Sequence, residues 1–338
     1  MSRVAVVILN YNGKELLERF LPSVTGFSGD AKIVVADNNS IDGSKEFVQQ
    51  VYPQVTLIPI PSNLGFCGGY NFALKQVKAE YYVLLNSDVE VTPNWLEPMI
   101  SLLDNDNRLA AVQPKILSHV DQHLFEYAGA GGGFIDALGY PFCRGRIFDT
   151  IEGDKGQYDD TLPIFWATGA CMIIRAELYH AMGGLDETFF AHMEEIDFCW
   201  RLNRAGHQVM YCGNSTVYHV GGATLSKSNP RKTYYNFRNG FIMLIKNLSF
   251  GQLLYKLPIR VGLDWIAALK FLLTGYGKDF LAVLKAHFYI IIHCFGLFAK
   301  RSPKRSYKTH QTYKGSIIAD YYLKGKRKFS DLSFSSPK

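Results

Sequence analysis

Three polar residues, Asn86, Ser87 and Asp88, follow the apolar run 81–85, where the structure has no need for an acidic side chain. The run is aromatic and aliphatic, which predicts a strand buried on both faces. Asn86 and Asp88 are two residues apart and would leave that strand on the same side. A carboxylate and an amide beyond a strand end suit a hard divalent cation, and through it a phosphate. A simple turn is the alternative, because Asn, Ser and Asp all favour turns.

A second acidic group, Glu194, Glu195 and Asp197, stands at the start of a predicted helix at 194–205. Asp197 and Arg201 are i,i+4 neighbours and are expected to pair, which favours a structural role for Asp197. Glu195 has no cation one turn away, and crowded carboxylates raise one another's pKa, as suits a general base. The alternative is a solvated acidic helix start, which the helix dipole favours.

Other predicted strand ends carry weaker signals. Asp37 closes the run 34–36, where a carboxylate is well placed to accept hydrogen bonds from a ribose or a base. An Asx turn or a helix cap explains it equally. Gly65–Gly69 follows the third predicted strand and would let the backbone approach a ligand, or simply turn the chain. His219, taken alone, is typical of a structural histidine.

The elements that must position these residues alternate between strands and helices. The patterns predict strands at 4–9, 32–36, 55–60, 81–85, 109–113, 166–175 and 208–212. They predict helices at 15–24, 44–51, 69–78, 94–103 and 194–205. The predicted fold class is therefore α/β, with a mostly parallel, Rossmann-like sheet flanked by helices. The Gly-rich stretch 118–160 is predicted to form irregular loops over the sheet face.

The composition is that of a globular protein, with 338 residues, 48% of them hydrophobic and 20% charged. Six cysteines show neither a CxxC pair nor metal-binding spacing, which indicates reduced cytosolic thiols. The apolar run 4–9 is too short for the central region of a secretory signal peptide. We therefore expect a cytoplasmic protein.

The chain changes character near residue 246. Residues 252–273 are apolar, and their charged residues fall on about one third of a helical wheel: Lys256, Arg260, Asp264 and Lys270. Residues 280–299 have nearly the length to span a bilayer but contain three ionisable side chains, which disfavours a span. Residues 300–338 carry eleven Lys and Arg against two Asp, a local charge of +9. We predict interfacial helices with a basic flank, and an ordinary helical subdomain is the alternative.

Common nucleotide-binding fingerprints do not occur in the sequence. The first predicted strand ends in Asn10–Gly13 rather than in GxGxxG, and GxxxxGK[ST] is found nowhere. Dehydrogenases and P-loop NTPases are therefore not supported. Nucleic acid is also disfavoured as a partner, because the basic tail adjoins apolar helices and no RNA-binding signature occurs.

Six sequence blocks together resemble family 2 glycosyltransferases, in particular the rhamnosyltransferase-like enzymes of bacterial surface-polysaccharide synthesis. The blocks are Val6–Asn12, Asp37–Ser44, Asn63–Phe66, Leu85–Asp88, Glu194–Asp197 and His219–Gly222. Each is weak alone, but six in the family's order between residues 2 and 245 are a strong signal.

The resemblance implies a GT-A fold, a nucleotide-sugar donor such as a UDP- or dTDP-sugar, a divalent metal (Mg²⁺ or Mn²⁺) and inversion at the anomeric carbon. The implied nucleotide-sugar-binding residues are Asn10, Tyr11, Asp37, Asn63, Gly65, Asn86, Ser87 and Arg238, the last by a guessed phosphate contact. The implied metal ligands are Asp88 and His219. The implied catalytic residues are Glu195 as the base, with Glu194 and Asp197 as further candidates.

The resemblance also divides the chain and suggests its partners. Residues 1–245 would form the catalytic domain, and 246–338 a helical, basic region that associates with the membrane. The acceptor would be a glycan or a polyprenyl-linked molecule, and the protein would lie on the cytoplasmic face of the cell membrane.

Two residues depart from the family pattern. Asn86 replaces the first acidic residue of the metal-binding block, and Glu195 replaces the aspartate of a Glu-Asp pair. Both changes leave a second hypothesis open, in which the protein binds a nucleotide sugar without catalysis, as a scaffold in a membrane assembly.

Overall fold

The computed structural model describes residues 2–221, 229–301 and 311–334. Strands occur throughout these ranges. In chain order they are β1 (Ser2–Asn10), β2 (Lys32–Asp37), β3 (Thr56–Pro59), β4 (Ala79–Asn86), β5 (Val89–Val91), β6 (Leu109–Ser118), β7 (Gly133–Asp136), β8 (Pro141–Cys143), β9 (Arg146–Ile147), β10 (Thr150–Ile151), β11 (Thr161–Ile164), β12 (Cys171–Arg175), β13 (Gln208–His219) and β14 (Thr312–Tyr313).

Helices separate most of the strands. They are α1 (Lys14–Phe27), α2 (Ser44–Val51), α3 (Gly65–Leu74), α4 (Glu97–Asn105), α5 (Ala176–Ala181), α6 (Glu194–Arg204), α7 (Pro230–Asn247), α8 (Phe250–Leu273), α9 (Gly277–Ala299) and α10 (Ile317–Tyr322). A short 3₁₀ helix, Phe329–Asp331, follows α10.

Nine strands form the central sheet, in the order β11-β13-β6-β12-β4-β1-β2-β3, with β5 paired to β13. Strands β3, β2, β1 and β4 are parallel neighbours, and β6 is parallel to β13. Strand β12 runs antiparallel to both β4 and β6, so these two point the same way. Six of the nine strands therefore share one direction, and the prediction of an α/β fold with a mostly parallel sheet is confirmed.

Helices cover both faces of this sheet. Alternate residues of β1 point to opposite sides: Val6 packs in one core with α1, α2 and α4, whereas Val7 packs in the other with α3, α6 and α7. Burial on both faces explains why the strands are continuous apolar runs instead of alternating ones. It also leaves the carboxyl edge of the sheet as the place where polar strand ends can meet.

The prediction of irregular loops over 118–160 is wrong. This stretch folds into most of a second sheet, in the order β10-β9-β8-β7-β14. Its strands are only two to four residues long and start in a Gly-rich segment, so they carry no readable alternation. A glycine is required at Gly133, where a Cβ would lie 2.2 Å from the ring of Trp166.

The C-terminal part of the chain completes this second sheet. Strand β14 pairs in parallel with β7, and the Asp136 carboxylate accepts a hydrogen bond of 2.9 Å from the Ile317 backbone N–H at the start of α10. The ring of Phe329 packs against Phe134 at a tilt, and that of Phe334 packs against it edge to face. The predicted boundary near 245 stays a prediction, and residues on both sides of it share one sheet.

Candidate active site

The carboxyl ends of β1, β2 and β4 bring three predicted site residues together. Asn10 pairs in register with Asp37, and Leu9 pairs with Asn86. The loop after β1 also reaches the loop after β4, since a Cβ on Gly13 would lie 3.5 Å from Ser87 Oγ and 2.5 Å from Asn10 Oδ1. Asn86 and Ser87 are partly buried. The polar residues that the sequence predicted at separate strand ends therefore lie next to each other in the structure.

Asn10 and Asp37 are locked by hydrogen bonds at this edge. Both are buried, and Asn10 Nδ2 donates to Asp37 Oδ2 and to Ser40 Oγ at 3.2 Å each. Asp37 Oδ1 accepts from the Ser40 backbone N–H at 2.9 Å. The Asn10 Oδ1 atom is buried and finds no partner among the described residues. The pair thus presents an acceptor that a ligand N–H or O–H would satisfy.

Asn63 and Gly65 form the rim beside this cluster. Asn63 is exposed, and its Oδ1 accepts from the Gly65 backbone N–H at 2.9 Å and from Asn38 Nδ2 at 3.1 Å. These bonds start α3 at Gly65, four residues before the predicted helix start. Tyr11 is 49% exposed at the end of β1. Asn63 and Tyr11 are therefore the predicted nucleoside ligands that a bound molecule can reach without rearrangement.

Asp88 and His219 lie side by side, as predicted. His219 Nε2 is 3.1 Å from Asp88 Oδ1, and the two residues meet because β5 pairs with β13 at His219. Both side chains are buried. Burial alone would raise the pKa of Asp88, but the hydrogen bond and charge of His219 keep it below its usual value.

A third side chain, Glu126, completes this arrangement and was missed by sequence reasoning. Its Oε2 lies 3.4 Å from His219 Nδ1, and a Cβ on Gly221 would lie 2.5 Å from its Oε1. Glu126 sits in the misread stretch before β7, where the only signal is a lone acidic residue in an apolar and Gly-rich segment. Burial works against a charged imidazole, but the two carboxylates raise the pKa of His219 to about 10.

Glu194 and Glu195 begin α6, and both carboxyl groups are shielded from water. The Oε2 atom of each is buried with no hydrogen-bond partner among the described residues. Desolvation raises the pKa of Glu195 to about 7. Desolvation and the neighbouring Glu195 charge also raise the pKa of Glu194 well above its usual value. Such a pair can hold or release a proton near neutral pH.

The loop before these glutamates has an unusual backbone. Phe190, His192 and Met193 all have positive φ, between 64° and 72°. Asn239 Nδ2 on α7 donates to the carbonyls of Phe189, Ala191 and His192 at 2.7–3.1 Å. The start of α6 is thereby fixed by α7 rather than by a side-chain cap of its own.

Arg238 also holds this loop in place by hydrogen bonds. Its Nη2 donates to the carbonyls of Thr188 and Phe189 at 2.9 Å, and its Nε donates to Asn239 Oδ1 at 2.8 Å. Arg238 is buried. The phosphate contact inferred from the family stays a prediction, and the hydrogen bonds that the structure shows for Arg238 are to backbone carbonyls and to the Asn239 side chain.

Asp197 is a correction to the list of candidate catalytic residues. Its predicted pairing with Arg201 is confirmed at 2.9 Å, but Asp197 is also bonded to Lys246 Nζ and Asn247 Nδ2 at 2.8 Å each. It is completely buried. With both oxygens bonded inside the protein, Asp197 has no path to an acceptor hydroxyl and holds α6 against α7.

Comparison with known proteins identifies the family. The model described as "Glycosyl transferase family 2" matches residues 5–181, just over half of the chain. Among curated relatives, N-acetylglucosaminyl-diphospho-decaprenol L-rhamnosyltransferase of Mycobacterium tuberculosis is 27% identical over 231 residues. That match covers 63% of this chain and 75% of the relative.

Solved structures resemble the fold. The structure of GalNAc-T7 with UDP, GalNAc and Mn²⁺ matches with a TM-score of 0.56 at 15% identity, over 73% of this chain and 48% of that one. This chain therefore spans about half the length of GalNAc-T7. The mannosyltransferase PcManGT of Pyrobaculum calidifontis, solved with GDP-Man and Mn²⁺, matches with a TM-score of 0.51 at 15% identity, over 88% of each chain. Both likenesses show the GT-A fold.

We predict that Asp197→Asn lowers the free energy of unfolding by about 3 kcal/mol, because Arg201 and Lys246 lose the charge that compensates them in the interior. Urea denaturation followed by circular dichroism measures the change. Glu195→Gln is the matched control and should not destabilise the protein, since it removes an unpaired buried carboxyl. An Asp197→Asn variant as stable as the unchanged protein would contradict the structural role.

Proposed function

The chain belongs to glycosyl transferase family 2, and we propose that it moves a sugar from a nucleotide-sugar donor to a glycan or polyprenyl-linked acceptor in bacterial cell-surface polysaccharide synthesis. The observation that carries this proposal is the meeting of polar strand ends at the carboxyl edge of the sheet. This edge is where α/β folds bind nucleotides. The name of the Mycobacterium tuberculosis relative supports a lipid-diphosphate acceptor.

The donor would be held through its nucleoside by the cluster at the ends of β1, β2 and β3. Asp37 and the unpartnered Asn10 Oδ1 supply acceptors, Tyr11 an exposed ring, and Asn63 and Gly65 the opposite rim. Asn86 and Ser87 lie between this cluster and Asp88, where the diphosphate and sugar would follow. We propose a UDP- or dTDP-sugar as the donor.

Asp88 and His219 fit a divalent cation. Their facing atoms are 3.1 Å apart, and a carboxylate beside an imidazole would supply two suitable donor atoms for such an ion. Over the described ranges no group of three or more His, Cys, Asp or Glu residues forms a complete metal cage. Mg²⁺ commonly takes one or two carboxylates and completes its shell with substrate phosphates. We therefore propose that Asp88 and His219 hold Mg²⁺ or Mn²⁺ together with the donor diphosphate.

His219 would bind a cation through Nε2 with Glu126 behind it. Only a neutral imidazole is a metal ligand, so His219 would hold a cation only after losing the proton on Nε2. Glu126, on the Nδ1 side, keeps the other proton in place and orients the ring, as carboxylates behind metal-bound histidines do. A bound cation supplies neutralisation of the charge that develops on the leaving diphosphate.

The chemical step would be an in-line displacement at the anomeric carbon. The acceptor hydroxyl oxygen forms the new glycosidic bond while the bond to the diphosphate oxygen breaks, and the nucleoside diphosphate leaves with that electron pair. Glu195 accepts the hydroxyl proton. General-base help of this kind contributes roughly 10²–10⁴-fold.

We place the protein on the cytoplasmic face of the membrane, held there peripherally by the region from residue 246 onward. The support is that this region carries many exposed apolar residues on α8 and α9. Of the predicted basic tail, residues 302–310 and 335–338 lie outside the described residues, as does Gly222 of the last motif.

We predict that Asp88→Ala abolishes the part of UDP or dTDP binding that depends on Mn²⁺, because the anionic ligand of the cation is lost. Calorimetric titration of each nucleotide with and without Mn²⁺ measures this. Asp121→Ala, an exposed Asp in the same half of the chain, is the control and should behave like the unchanged protein. Metal-stimulated binding that persists in a folded Asp88→Ala protein would rule out the assignment.

Glu126→Gln should weaken Mn²⁺ binding by about 10–100-fold while keeping the side-chain shape, because His219 loses the carboxylate that orients it. The free Mn²⁺ signal in electron paramagnetic resonance reports the affinity without any turnover. Glu152→Gln changes another carboxylate near the second sheet and should leave Mn²⁺ affinity unaltered. Equal affinity in Glu126→Gln and the unchanged protein would show that Glu126 does not support the metal site.

Glu195→Gln should lower kcat by roughly 10² or more with donor affinity nearly unchanged, because only the proton acceptor is removed. A base must be charged to act, and the pKa of Glu195 is raised to about 7. Activity of the unchanged enzyme should therefore fall about tenfold per pH unit below that value. Nucleoside diphosphate release with bacterial lipid acceptors provides the assay, and Glu177→Gln, exposed on α5, is the control.

Two outcomes of that assay argue against the assignment. Full turnover by Glu195→Gln would transfer the role of the base to Glu194. Nucleotide binding without any turnover by the unchanged protein, under every donor and acceptor tried, would favour the non-catalytic scaffold.

A further inference from the structure

Helices α8 and α9 form a hairpin whose polarity is inverted relative to a soluble protein. Large apolar side chains cover its outer surface, and they are between 36% and 90% exposed. They are Phe250, Leu254, Tyr255, Ile259, Val261, Trp265, Ile266, Leu269, Leu272 and Leu273 on α8 and Leu281, Phe288, Ile291, Ile292 and Phe295 on α9. We call this surface the apolar face. Monomeric soluble proteins rarely expose a continuous patch of this extent, so it marks a binding surface.

Two charged residues of α8 point inward. Arg260 and Asp264 on α8 are buried, and the Arg260 guanidinium stacks 3.5 Å from the ring of Tyr140. Asp264 lies 3.3 Å from His287 Nε2 on α9 and accepts from the Tyr140 hydroxyl at 3.4 Å. Polar groups therefore tie the hairpin to the body of the protein, and the apolar residues remain for an external partner.

Helix α9 is long and apolar enough to cross a membrane by length and composition. Its inner side, however, is packed against the protein through Ala282, Val283, Ala286 and Leu297, all of which are buried. If α9 crossed a membrane, it would have to lose these contacts, and the surface of the protein against which it now packs would be exposed to water.

Both ends of α9 are also fastened to α7. At the start of α9, Thr233 Oγ1 donates to Asp279 Oδ1 at 2.5 Å. Just after its end, Arg301 donates to the carbonyls of Ile245 and Leu248. Lys285 lies close to the middle of α9 and would stand near the centre of a bilayer that the helix crossed. These features disfavour a membrane-spanning α9.

Cations on the hairpin indicate what kind of surface it meets. Lys270, Lys278 and Lys285 are exposed, and no acidic residue of α8 or α9 is exposed with them. Lys285 lies one turn from Leu281 and from Phe288 on the outer stripe, where its alkyl stem can follow the apolar side chains while the ammonium reaches headgroups. Exposed apolar side chains interspersed with lysines match an anionic lipid surface in both polarity and charge.

We propose that α8 and α9 lie together in the interfacial layer of an anionic bilayer, with the apolar face in the lipid and without crossing it. The proposal deepens the proposed function and relies on it for the lipid-linked acceptor, but not for the docking itself. Helix α7 joins the two sites, since it carries α9 on one side and holds the loop before Glu194 through Asn239. The hairpin turn at 274–276 lies at the α7 end that carries Thr233.

The first experiment measures vesicle binding of the full chain. Co-sedimentation with phosphatidylglycerol and phosphatidylcholine vesicles should show at least a tenfold weaker affinity for Phe295→Glu and Ile291→Glu, because each puts a charge into the apolar face. Val120→Glu is the matched control, since Val120 is 82% exposed away from the hairpin, and should stay within twofold of the unchanged protein. Equal binding by all four proteins overturns the proposal.

Two further readouts separate the alternatives. Binding of UDP with Mn²⁺ should be the same in all four proteins, so loss of vesicle binding and failure of the proposed function are seen in different measurements. Analytical ultracentrifugation without lipid tests whether the face joins two copies of this chain. A stable dimer that Phe295→Glu dissolves, together with no vesicle binding, overturns the proposal in favour of self-association.

The second experiment tests whether α9 crosses the membrane. Lys278→Cys and Ala299→Cys are made singly in a Cys294→Ser background, because the other five cysteines are buried. In sealed inverted bacterial membrane vesicles, a membrane-impermeant PEG-maleimide should modify both positions, since both ends of α9 stay on the cytoplasmic side. Modification of only one position before detergent is added shows a spanning helix and overturns the proposal.

Discussion

Five successive backbone carbonyls, from Thr188 to His192, receive hydrogen bonds from other parts of the protein, and the arrangement of the candidate active site depends on them. Arg238 and Asn239 of α7 donate hydrogen bonds to four of these carbonyls. The Phe66 backbone N–H at the start of α3 donates to the carbonyl of Phe190. Three non-glycine residues in left-handed conformations cost about 3–6 kcal/mol in total. Six hydrogen bonds at about 1 kcal/mol each offset this strain. The two glutamates at the start of α6 can therefore be held, unpaired, in a shielded position.

The same constraint connects regions that are distant in sequence. Helix α7 is pinned to α6 by the Lys246–Asp197 ion pair, and it carries α9 along its other side. A change at the membrane-facing hairpin is thus only one helix away from the proposed base. The proposed metal ligands Asp88 and His219 are supported separately, by Glu126 before the second sheet. The proposed base and the proposed metal site therefore depend on different parts of the fold.

Local patterns predicted the central sheet and most of the candidate site because the residues in question act through near neighbours. Strand ends mark where Asn10, Asp37 and Asp88 must lie, and the i,i+4 spacing is enough to pair Asp197 with Arg201. Lys246 was not predictable as a further partner of Asp197, since its approach depends on how α7 packs. The second sheet was missed because its strands are too short to show a period. On α8 the sequence correctly grouped the charged residues on one side, but only tertiary contacts show that Arg260 and Asp264 face inward while Lys270 is exposed.

The order in which the residues are synthesised determines when the second sheet becomes covered. Strand β14 and the aromatic residues Phe329 and Phe334 follow the second sheet at a long distance in sequence, yet they cover Phe134 and Phe142 in that sheet. During synthesis these two phenylalanines stay uncovered until residues 312–334 have emerged, so the growing chain exposes an apolar surface until then. A protein shortened near residue 245 would keep that surface permanently and would aggregate or recruit chaperones. Soluble fragments for crystallisation should therefore retain 311–334 even when the apolar hairpin is redesigned.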